Sequence, residues 1–494
     1  MKFAHHLGAS WRRLAAFAAA IAACALSAWP LTATALPLFN RQTGQNCVAC
    51  HAGGQFPELT PYGRMFKMTG YTIGQYTVPV SMMAVASLSH VANTSKSDDP
   101  GADFQKNDNV IFATASVFLG GRIADNFGAF IQVTYDPYAT QSADGKFHGH
   151  AAADNMDLRF ADRVFFGERQ DLVFGVSANN NPSVSDPWNT APAWMQYVPV
   201  PSPTSSQFID GNTPYPGLAA GGNTAGLTAY AFLDQTLYIE GGAYRSASGL
   251  FSFFKGGVAN ADMTRLHGNN PYWRVALNQQ WGAHNLMLGG GGMASAIYDD
   301  PLDTSDPSTL HRYRDGWIDT QYQYLLDPHA VTAQLVFTHQ QHQYPSSFAG
   351  QPVPFVDARG NALAPTSPSD KLNLIRGKVS YAWNARYGGS LAYFDLSGST
   401  NTLNQSSGYD PLTGTITSNP AAAAPSLRVN GNLSGNPATR GETLEAFWTP
   451  VQYLRVGAQY TLYQRYNGAT YNYDGFGRNA HDNDSLFLYA WFAY

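Results

Sequence analysis

The last ten residues of the chain, Ser-Leu-Phe-Leu-Tyr-Ala-Trp-Phe-Ala-Tyr (485–494), give the strongest indication of its fold. Two apolar faces alternate along them, one beginning at Leu486 and the other at Phe487, and the stretch ends on the aromatic residue Tyr494. Side chains alternate in this way along a β-strand, and about ten residues is the length of a strand that crosses a bilayer. The stretch therefore resembles the last strand of an outer-membrane barrel, although a strand of a soluble sandwich would show the same period.

The composition favours a barrel in a membrane. With 494 residues, 13% charged, 13% aromatic and 47 glycines, the chain is larger than one soluble core of usual size and too poor in charge to be disordered. After the N-terminal leader no apolar stretch is long enough for a spanning helix, so a membrane location requires a closed barrel. The formal net charge of −5 gives no indication of a nucleic-acid partner.

Segments with one apolar and one polar face recur through the body of the chain. Residues 111–119, 127–135 and 454–462 each place aliphatic or aromatic side chains on one face and hydroxyl, amide or charged side chains on the other. About sixteen such segments follow Pro79, and single-chain bacterial barrels use an even number of strands. The sequence thus predicts an all-β fold, a transmembrane antiparallel β-barrel.

The connections between these segments alternate in length. Long stretches rich in Pro, Gly, Asn and Ser cover 180–222, 341–370 and 398–438. Because bacterial barrels have short periplasmic turns and long external loops, we expect both ends of the barrel on the periplasmic side. The tight turns are predicted near Asp125, Glu168, Asp234, Gly282, Asp327, Ala385 and Pro450.

The N-terminus has the pattern of a secretory signal. Positive charges at Arg12 and Arg13 precede an apolar run (14–26), and Ala33-Thr34-Ala35 supplies a small-residue cleavage site. Residues 1–35 are therefore predicted to be removed, and the mature chain to reach the outer membrane through the periplasm. An alternative is a lipoprotein cleavage box at Ile21-Ala22-Ala23-Cys24.

Cys47-Val48-Ala49-Cys50-His51 is the motif that carries chemistry. C-x-x-C-H is the spacing of c-type haem attachment, in which two thiols bond covalently to the haem and the adjacent imidazole binds the iron. The alternatives are a thioredoxin-like dithiol or half of a zinc site, but no second cysteine pair and no preceding strand accompany the motif. We therefore expect one covalent haem c, with His51 as the proximal ligand.

The segment that bears this motif is too short to enclose a haem alone. Only residues 36–76 lie between the predicted signal and the barrel, which is expected to cover 77–494. So small a segment cannot build a sufficient core, and the barrel has to supply the missing wall. We expect a small α-helical plug that holds the haem in the lumen or at its periplasmic mouth.

One helix of the plug is predicted from its ends. Thr60-Pro61 is a typical N-cap followed by proline at the first helical position, and Gly70 is a typical C-terminal stop. Met65 and Met68 share one face of this helix, so either thioether is a candidate distal ligand, or both pack against apolar surface. The other candidate distal ligands, on the first strand, are Met82, Met83 and His90. Arg64 and Lys67 are candidate contacts of the haem propionates, or side chains that line a wet lumen.

Two groups of motifs resemble those of the fused cytochrome-porins, the outer-membrane monohaem c-type iron oxidases of iron-oxidising bacteria. The first group surrounds the C-x-x-C-H motif and the second lies in a long loop. The matching residues are Arg41-Gln42-Thr43-Gly44, Pro57-Glu58-Leu59-Thr60, Gly63-Arg64-Met65-Phe66-Lys67 and Gly70-Tyr71-Thr72, then Asn181-Pro182, Asp186-Pro187-Trp188-Asn189 and Pro192-Ala193-Trp194.

The resemblance implies a single c-type haem in a porin-like barrel that takes electrons from extracellular Fe(II). It also implies transfer to a periplasmic carrier, a cytochrome or a cupredoxin, and so an Fe(II):cytochrome c oxidoreductase activity. Cys47 and Cys50 correspond to the haem thioethers and His51 to the proximal ligand. No distal ligand follows from the resemblance.

Several functional alternatives stay open at this point. The same haem and barrel would serve another electron donor, or the protein is a diffusion porin whose haem has a structural or sensing role. The acidic residues of the loops either attract Fe²⁺ or are ordinary solvated surface. His148 and His150 are spaced so that both could bind one metal ion, but two histidines make an incomplete site. A homotrimer in outer-membrane lipid is one expected assembly. The acidic residues are Asp98-Asp99, Asp299-Asp300, Asp303 and Asp306.

Overall fold

The computed structural model describes most of the chain from residue 38 onward. The described residues are 38–54, 58–76, 80–93, 108–142, 146–167, 170–190, 223–255, 265–298, 302–345, 368–400, 407–410, 415–418, 436–473 and 477–493. Several predicted features lie outside these residues: the signal (1–35), the matched Pro57, the acidic pairs Asp98-Asp99 and Asp299-Asp300, the turn at Glu168 and the matched Pro192-Ala193-Trp194.

Sixteen antiparallel strands close into one barrel. Closure is made between the first and last strands, where Leu88 lies opposite Leu488. The strands are β1 Val80–Val91, β2 Val110–Ala124, β3 Phe127–Gln141, β4 Phe147–Phe166, β5 Gln170–Asn179, β6 Thr224–Leu233, β7 Leu237–Ser246, β8 Asn270–Trp281, β9 His284–Tyr298, β10 Leu310–Leu326, β11 His329–Gln343, β12 Ser369–Trp383, β13 Tyr387–Gly398, β16 Thr439–Val451, β17 Leu454–Arg465 and β18 Ser485–Ala493; β14 Ser407–Asp410 and β15 Thr415–Ser418 form a separate hairpin. The predicted barrel of about sixteen strands is confirmed.

The strands turn an apolar face outward and a polar face inward. On β10, Ile318 is 65% exposed on the outside, whereas Gln321 and Gln323 are fully buried in the lumen. Trp281 and Trp383 are exposed next to the tight turns at one rim, as in the aromatic girdle of a membrane barrel. The outer surface is therefore suited to lipid and the inner surface to hydrogen bonding.

The short turns all lie at the rim that holds the two ends of the barrel. Asp234 and Gln235 both have positive φ (49° and 50°), the conformation of the two-residue hairpin turn whose twist matches the flanking strands. Val80 lies opposite Leu119, near the first of these turns, and Ala493 bonds to Tyr453 in the last. Because bacterial barrels have their short turns on the periplasmic side, we assign this rim to the periplasm.

Short helices precede the barrel and occupy its lumen. They are α1 Leu38–Thr43, α2 Cys47–Cys50 and α3 Pro61–Met68, with a 3₁₀ turn at Ala52–Gly54, and a fourth, α4 Pro182–Ser185, follows β5. The Thr60 hydroxyl accepts a hydrogen bond from the Gly63 amide (3.1 Å), so the predicted N-cap of α3 is confirmed. The helix ends at Met68, two residues before Gly70 with its positive φ of 72°. In the described ranges, no helix is both long and apolar enough to cross a membrane.

Candidate functional site

The C-x-x-C-H motif forms one helical turn that is fastened to α3. The His51 amide bonds to the Cys47 carbonyl (2.8 Å), and the Thr60 amide bonds to the Cys50 carbonyl (2.9 Å). At the crossing of the two helices, a Cβ on Gly63 would lie 2.2 Å from the Cys50 carbonyl oxygen, so only glycine permits this approach. The local chain thus fixes both thiols and the imidazole relative to α3.

Both thiols and the imidazole line a single cavity between the plug and the barrel wall. The empty space in it is about 1600 Å³, including its opening to solvent. The Cys47 sulfur accepts a hydrogen bond from Gln452 (3.2 Å), which lies in a periplasmic turn, so the cavity is in the periplasmic half of the lumen. Its apolar lining includes Leu38, Phe39, Phe66, Met83, Val85, Phe118, Phe130 and Trp491. An apolar cavity beside two thiols and an imidazole fits a covalently bound haem.

Burial keeps the ligating groups of the plug uncharged. Desolvation, helped by the positive charge of Lys67, lowers the pKa of His51 to about 3, so its imidazole is neutral, the form that binds a metal. Desolvation, followed by the influence of Cys47, raises the pKa of Cys50 to about 11. The site therefore presents a thiol and a neutral imidazole to an apolar space.

Met65 and Met68, two of the candidate distal ligands, do not line this cavity. Met68 is 1% exposed and packs in an apolar cluster with Trp188, Tyr230 and Tyr238, and Met65 packs against the same cluster. The face of α3 that carries both methionines therefore contacts the barrel wall and the segment after β5. This placement favours the packing role that the sequence also allowed.

Met83 is the candidate distal ligand that fits the cavity. Its side chain lies on the inner face of β1, where the Trp491 indole donates a hydrogen bond to its sulfur (3.3 Å). Met82 also borders the cavity, but its side chain is half exposed on the opposite face of the strand. His90 lies at the far end of β1 and pairs with Asp108 (2.8 Å), away from the cavity.

Arg64 is engaged by the barrel wall, contrary to the suggested propionate contact. Its guanidinium donates to the side-chain oxygens of Asn285 (2.6 Å), Gln321 (3.0 Å) and Gln323 (3.0 Å) and to the Leu59 carbonyl (2.8 Å). The N–H groups of the guanidinium are thus occupied by these acceptors, and the three side-chain acceptors lie on β9 and β10. Arg64 therefore anchors α3 to these two strands.

Lys67 has a different position because it borders the cavity. Its ammonium donates to the Asp186 carbonyl (2.9 Å) and the Asn189 side chain (3.4 Å). Burial, followed by the charge of Arg159, lowers its pKa to about 8. Lys67 thus remains compatible with a propionate contact while it ties α3 to the segment after β5.

That segment, residues 181–190, folds into the lumen and is the second group of motifs noted in the sequence. Asp186 pairs with Arg274 (3.0 Å), which also pairs with Asp319 (2.8 Å), and all three side chains are fully buried. Trp188 is fully buried and lies under the Arg64 guanidinium, 5.9 Å from its centre. Two motifs more than a hundred residues apart in sequence therefore form one packed unit.

Sequence reasoning missed the wall residues that hold the plug. Tyr71 donates to Asp157 (2.5 Å), Tyr230 donates to the Met68 carbonyl (2.6 Å), and Lys378 pairs with Glu58 (2.5 Å). Their only sequence signal is their place on the polar face of a strand, which most lumen residues share.

Among the loop residues suggested for metal collection, the structure describes Asp303, Asp306, His148 and His150, and these four form no complete site. Asp303 and Asp306 are exposed and accept hydrogen bonds from Ser305 and Ser308 of their own loop. His148 and His150 are exposed at the outer end of β4. Across the residues that the structure describes, no three histidine, cysteine or carboxylate side chains already surround a common metal position.

Among known proteins, this chain is similar only to solved structures, and only in overall structure. No known family matches the sequence, and no curated protein is similar to it. Among solved structures, Pseudomonas putida OprB is 11% identical and covers 84% of this chain and 94% of its own, with a TM-score of 0.44. The outer membrane channel DcaP of Acinetobacter baumannii is 10% identical, with coverages of 84% and 96% and a TM-score of 0.41. OmpT of Vibrio cholerae is 11% identical, with coverages of 84% and 97% and a TM-score of 0.40.

The closed barrel and its apolar, aromatic-rimmed exterior decide the location on their own. This is an outer-membrane β-barrel protein. Its lumen contains the N-terminal plug and the segment 181–190, which folds inward.

Proposed function

We propose that this protein transfers electrons across the outer membrane through one c-type haem held in the periplasmic half of its lumen. The observation that carries the proposal is that Cys47, Cys50 and His51 line one apolar cavity between plug and wall. Cys47 and Cys50 would hold the haem covalently, and His51 and Met83 would bind its iron. A bound c-type haem accepts and releases single electrons, and the protein sets its potential through its axial ligands and burial.

The residues around the cavity would position the haem and surround it with apolar side chains. Phe66, Phe118 and Phe130 line the cavity with apolar surface, and the contacts of Arg64 and Lys67 hold α3 against the wall and the segment 181–190. The opening of the cavity near the periplasmic turns favours an acceptor on that side, a soluble cytochrome or a cupredoxin.

The proposed electron donor is extracellular Fe(II). It rests on the resemblance of the plug and of residues 181–190 to the cytochrome-porins, and the packing of Trp188 beneath Arg64 supports a joint role for these two segments. Oxidation outside the cell has a physical advantage, because only an electron has to cross the apolar band of about 25 Å while ferric products stay outside.

Two measurements test the proposal. Covalent haem is expected to stay with the wild-type chain through denaturation and to be lost in the Cys47→Ser/Cys50→Ser double variant; a wild-type chain purified from a host that matures c-type cytochromes but lacking haem would refute it. Stopped-flow absorbance after anaerobic mixing with Fe²⁺ then tests the donor. Haem that dithionite reduces but Fe²⁺ does not would retain the electron-transfer proposal and reject iron as the donor.

A second candidate function is diffusion of solutes through the barrel, which the closed sixteen-strand wall favours. The plug argues against it, because Arg64 ties α3 to the barrel wall and Lys67 ties it to the inward segment 181–190. A large, steady conductance of the wild-type protein in planar bilayers would support a porin, whereas a closed lumen supports the electron-transfer proposal. Homotrimer formation remains a prediction.

A further inference from the structure

Two histidines meet at the extracellular mouth of the barrel, far along the strands from the haem cavity. His311 is near the start of β10 and His342 near the end of β11, both on the lumen face and both next to long loops. Their Nδ1 and Nε2 atoms are 2.9 Å apart and their ring centroids 5.1 Å apart. Because one nitrogen of a hydrogen-bonded pair must accept, at least one of the two rings is neutral.

Aromatic packing fixes the orientation of this pair. The Tyr313 ring stacks on His342 at 4.1 Å with an interplanar angle of 10°, and the Tyr344 ring is also 4.1 Å from His342. His342 is only 8% exposed. The imidazole nitrogens are therefore held toward each other by rigid neighbours, which reduces the entropy lost when both bind one ion.

Two carboxylates accompany the histidines on the same inner face. Asp370 lies opposite His342 in the register of β11 and β12, and the Tyr344 hydroxyl donates to it (2.5 Å). Asp315 is two positions beyond Tyr313 on β10 and is 8% exposed, and its Oδ1 atom has no hydrogen-bond partner among the described residues. A buried carboxylate oxygen without a donor is costly unless the group is protonated or a cation is near.

We propose that His311 and His342 bind a divalent first-row transition-metal ion at the extracellular mouth. Imidazole nitrogen suits such ions, and Asp315 and Asp370 supply the compensating negative charge. With metal–nitrogen distances of about 2.0–2.1 Å, two nitrogens at a tetrahedral ion are about 3.3 Å apart, so the rings separate by a few tenths of an ångström on binding. Water completes the coordination, since the carboxylates do not already surround a common point with the two rings.

The role of this site rests on the proposed function, whereas metal binding itself does not. The two histidines lie at the extracellular end of the lumen, where the proposed donor, Fe²⁺, would enter. The haem cavity lies toward the periplasmic end, on the side of the proposed acceptor. A site here concentrates Fe²⁺ in the lumen entrance, where low dielectric strengthens its attraction to Asp315 and Asp370.

The test is calorimetric titration of Co²⁺ into the detergent-solubilised, full-length haem-loaded protein near neutral pH. One stoichiometric binding event is expected. His311→Ala and His342→Ala each weaken it by more than about 100-fold, and Asp315→Asn weakens it by a smaller factor, because this change removes a negative charge on the same face and leaves both nitrogen ligands in place. The matched control is His339→Ala, because His339 is on the same strand but bonds to Asn373 (2.7 Å) instead.

Retention of wild-type affinity in either histidine variant, or absence of binding in the wild type, would overturn the site. Folding of each variant is checked by the shifted migration of the unheated barrel in gel electrophoresis, and His342→Gln replaces His342→Ala if the latter fails this check. Haem content measured on the same samples separates the two proposals. If the wild-type preparation proves to lack haem, the electron-transfer function is rejected, and Co²⁺ binding that still requires His311 and His342 leaves the metal site intact.

Discussion

The Arg64 guanidinium lies 2.6 Å from the side-chain oxygen of Asn285, a residue 221 positions away on the barrel wall. This bond, with those to Gln321 and Gln323, joins the N-terminal plug to the lumen through a charge that is 2% exposed. The plug is therefore an integral part of the barrel interior, and several measurable consequences follow from its anchors.

Loss of Arg64 is expected to loosen the plug. Arg64→Ala leaves three buried amide oxygens without their donor, at a cost of about 1–3 kcal/mol for each such group. We expect higher conductance in planar bilayers and faster proteolysis within residues 38–76. Arg314→Ala on the exposed outer face of β10 is the matched control and should leave both properties unchanged. Equal conductance of the wild type and the Arg64 variant would contradict the anchoring role.

Met83 is expected to set the potential of the proposed haem. Met83→Leu keeps the volume but removes the thioether, so the reduction potential should fall, because methionine ligation raises it. Met82→Leu, one residue away and half exposed on the other face of β1, should leave the potential at its wild-type value. Redox titration followed by absorbance measures both. A fall in the Met82 variant alone would assign the ligand to Met82 instead.

Gly63 is expected to control haem attachment through sterics alone. A Cβ at this position would lie 2.2 Å from the Cys50 carbonyl, so Gly63→Ala must push α3 away from α2 and lower the fraction of chains that acquire covalent haem. Gly316→Ala is the control, since a Cβ there would meet nothing closer than 3.9 Å. The number of haems per chain, measured from the haem absorbance of denatured protein, is compared between the two variants and the wild type. Normal loading of the Gly63 variant would show that the close approach is not needed.

The buried ion pairs of Arg274 should matter far more than a comparable pair at the surface. Arg274→Ala leaves Asp186 and Asp319 as buried charges without their partner, which costs about 3–5 kcal/mol. Arg163→Ala breaks the more exposed pair with Asp171 and should cost about 0–1 kcal/mol. Urea unfolding in detergent compares the two midpoints. Equal midpoints would mean that residues 181–190 are held by packing of Trp188 and not by charge.

Local sequence patterns predicted the features whose causes are local. Thr60, Pro61 and Gly70 mark the ends of α3 because capping and backbone conformation involve neighbouring residues. Alternation of apolar and polar residues predicted the barrel for the same reason, since it reports which side chains share a face.

Local patterns do not predict which part of the protein a given face of a helix or strand contacts. Met65 and Met68 share one side of α3, as their spacing indicates, yet that side packs on Trp188 and the wall instead of on the cavity. The partners of Arg64 and Lys67 on the wall and in the segment 181–190 are between 119 and 259 positions away, and nothing in the local sequence distinguishes them from other polar lumen residues. The pairing of His311 with His342 depends in the same way on strand register.

The pairing of β1 with β18 imposes an order on biogenesis. The wall cannot be completed until residues 485–493 have left the secretion channel, because only they lie opposite the free edge of β1. The thiols of Cys47 and Cys50, by contrast, emerge near the start of translocation. On the proposed function, maturation enzymes in the periplasm would reach these thiols while the rest of the chain is still in transit, and insertion into lipid would then enclose the plug in the barrel.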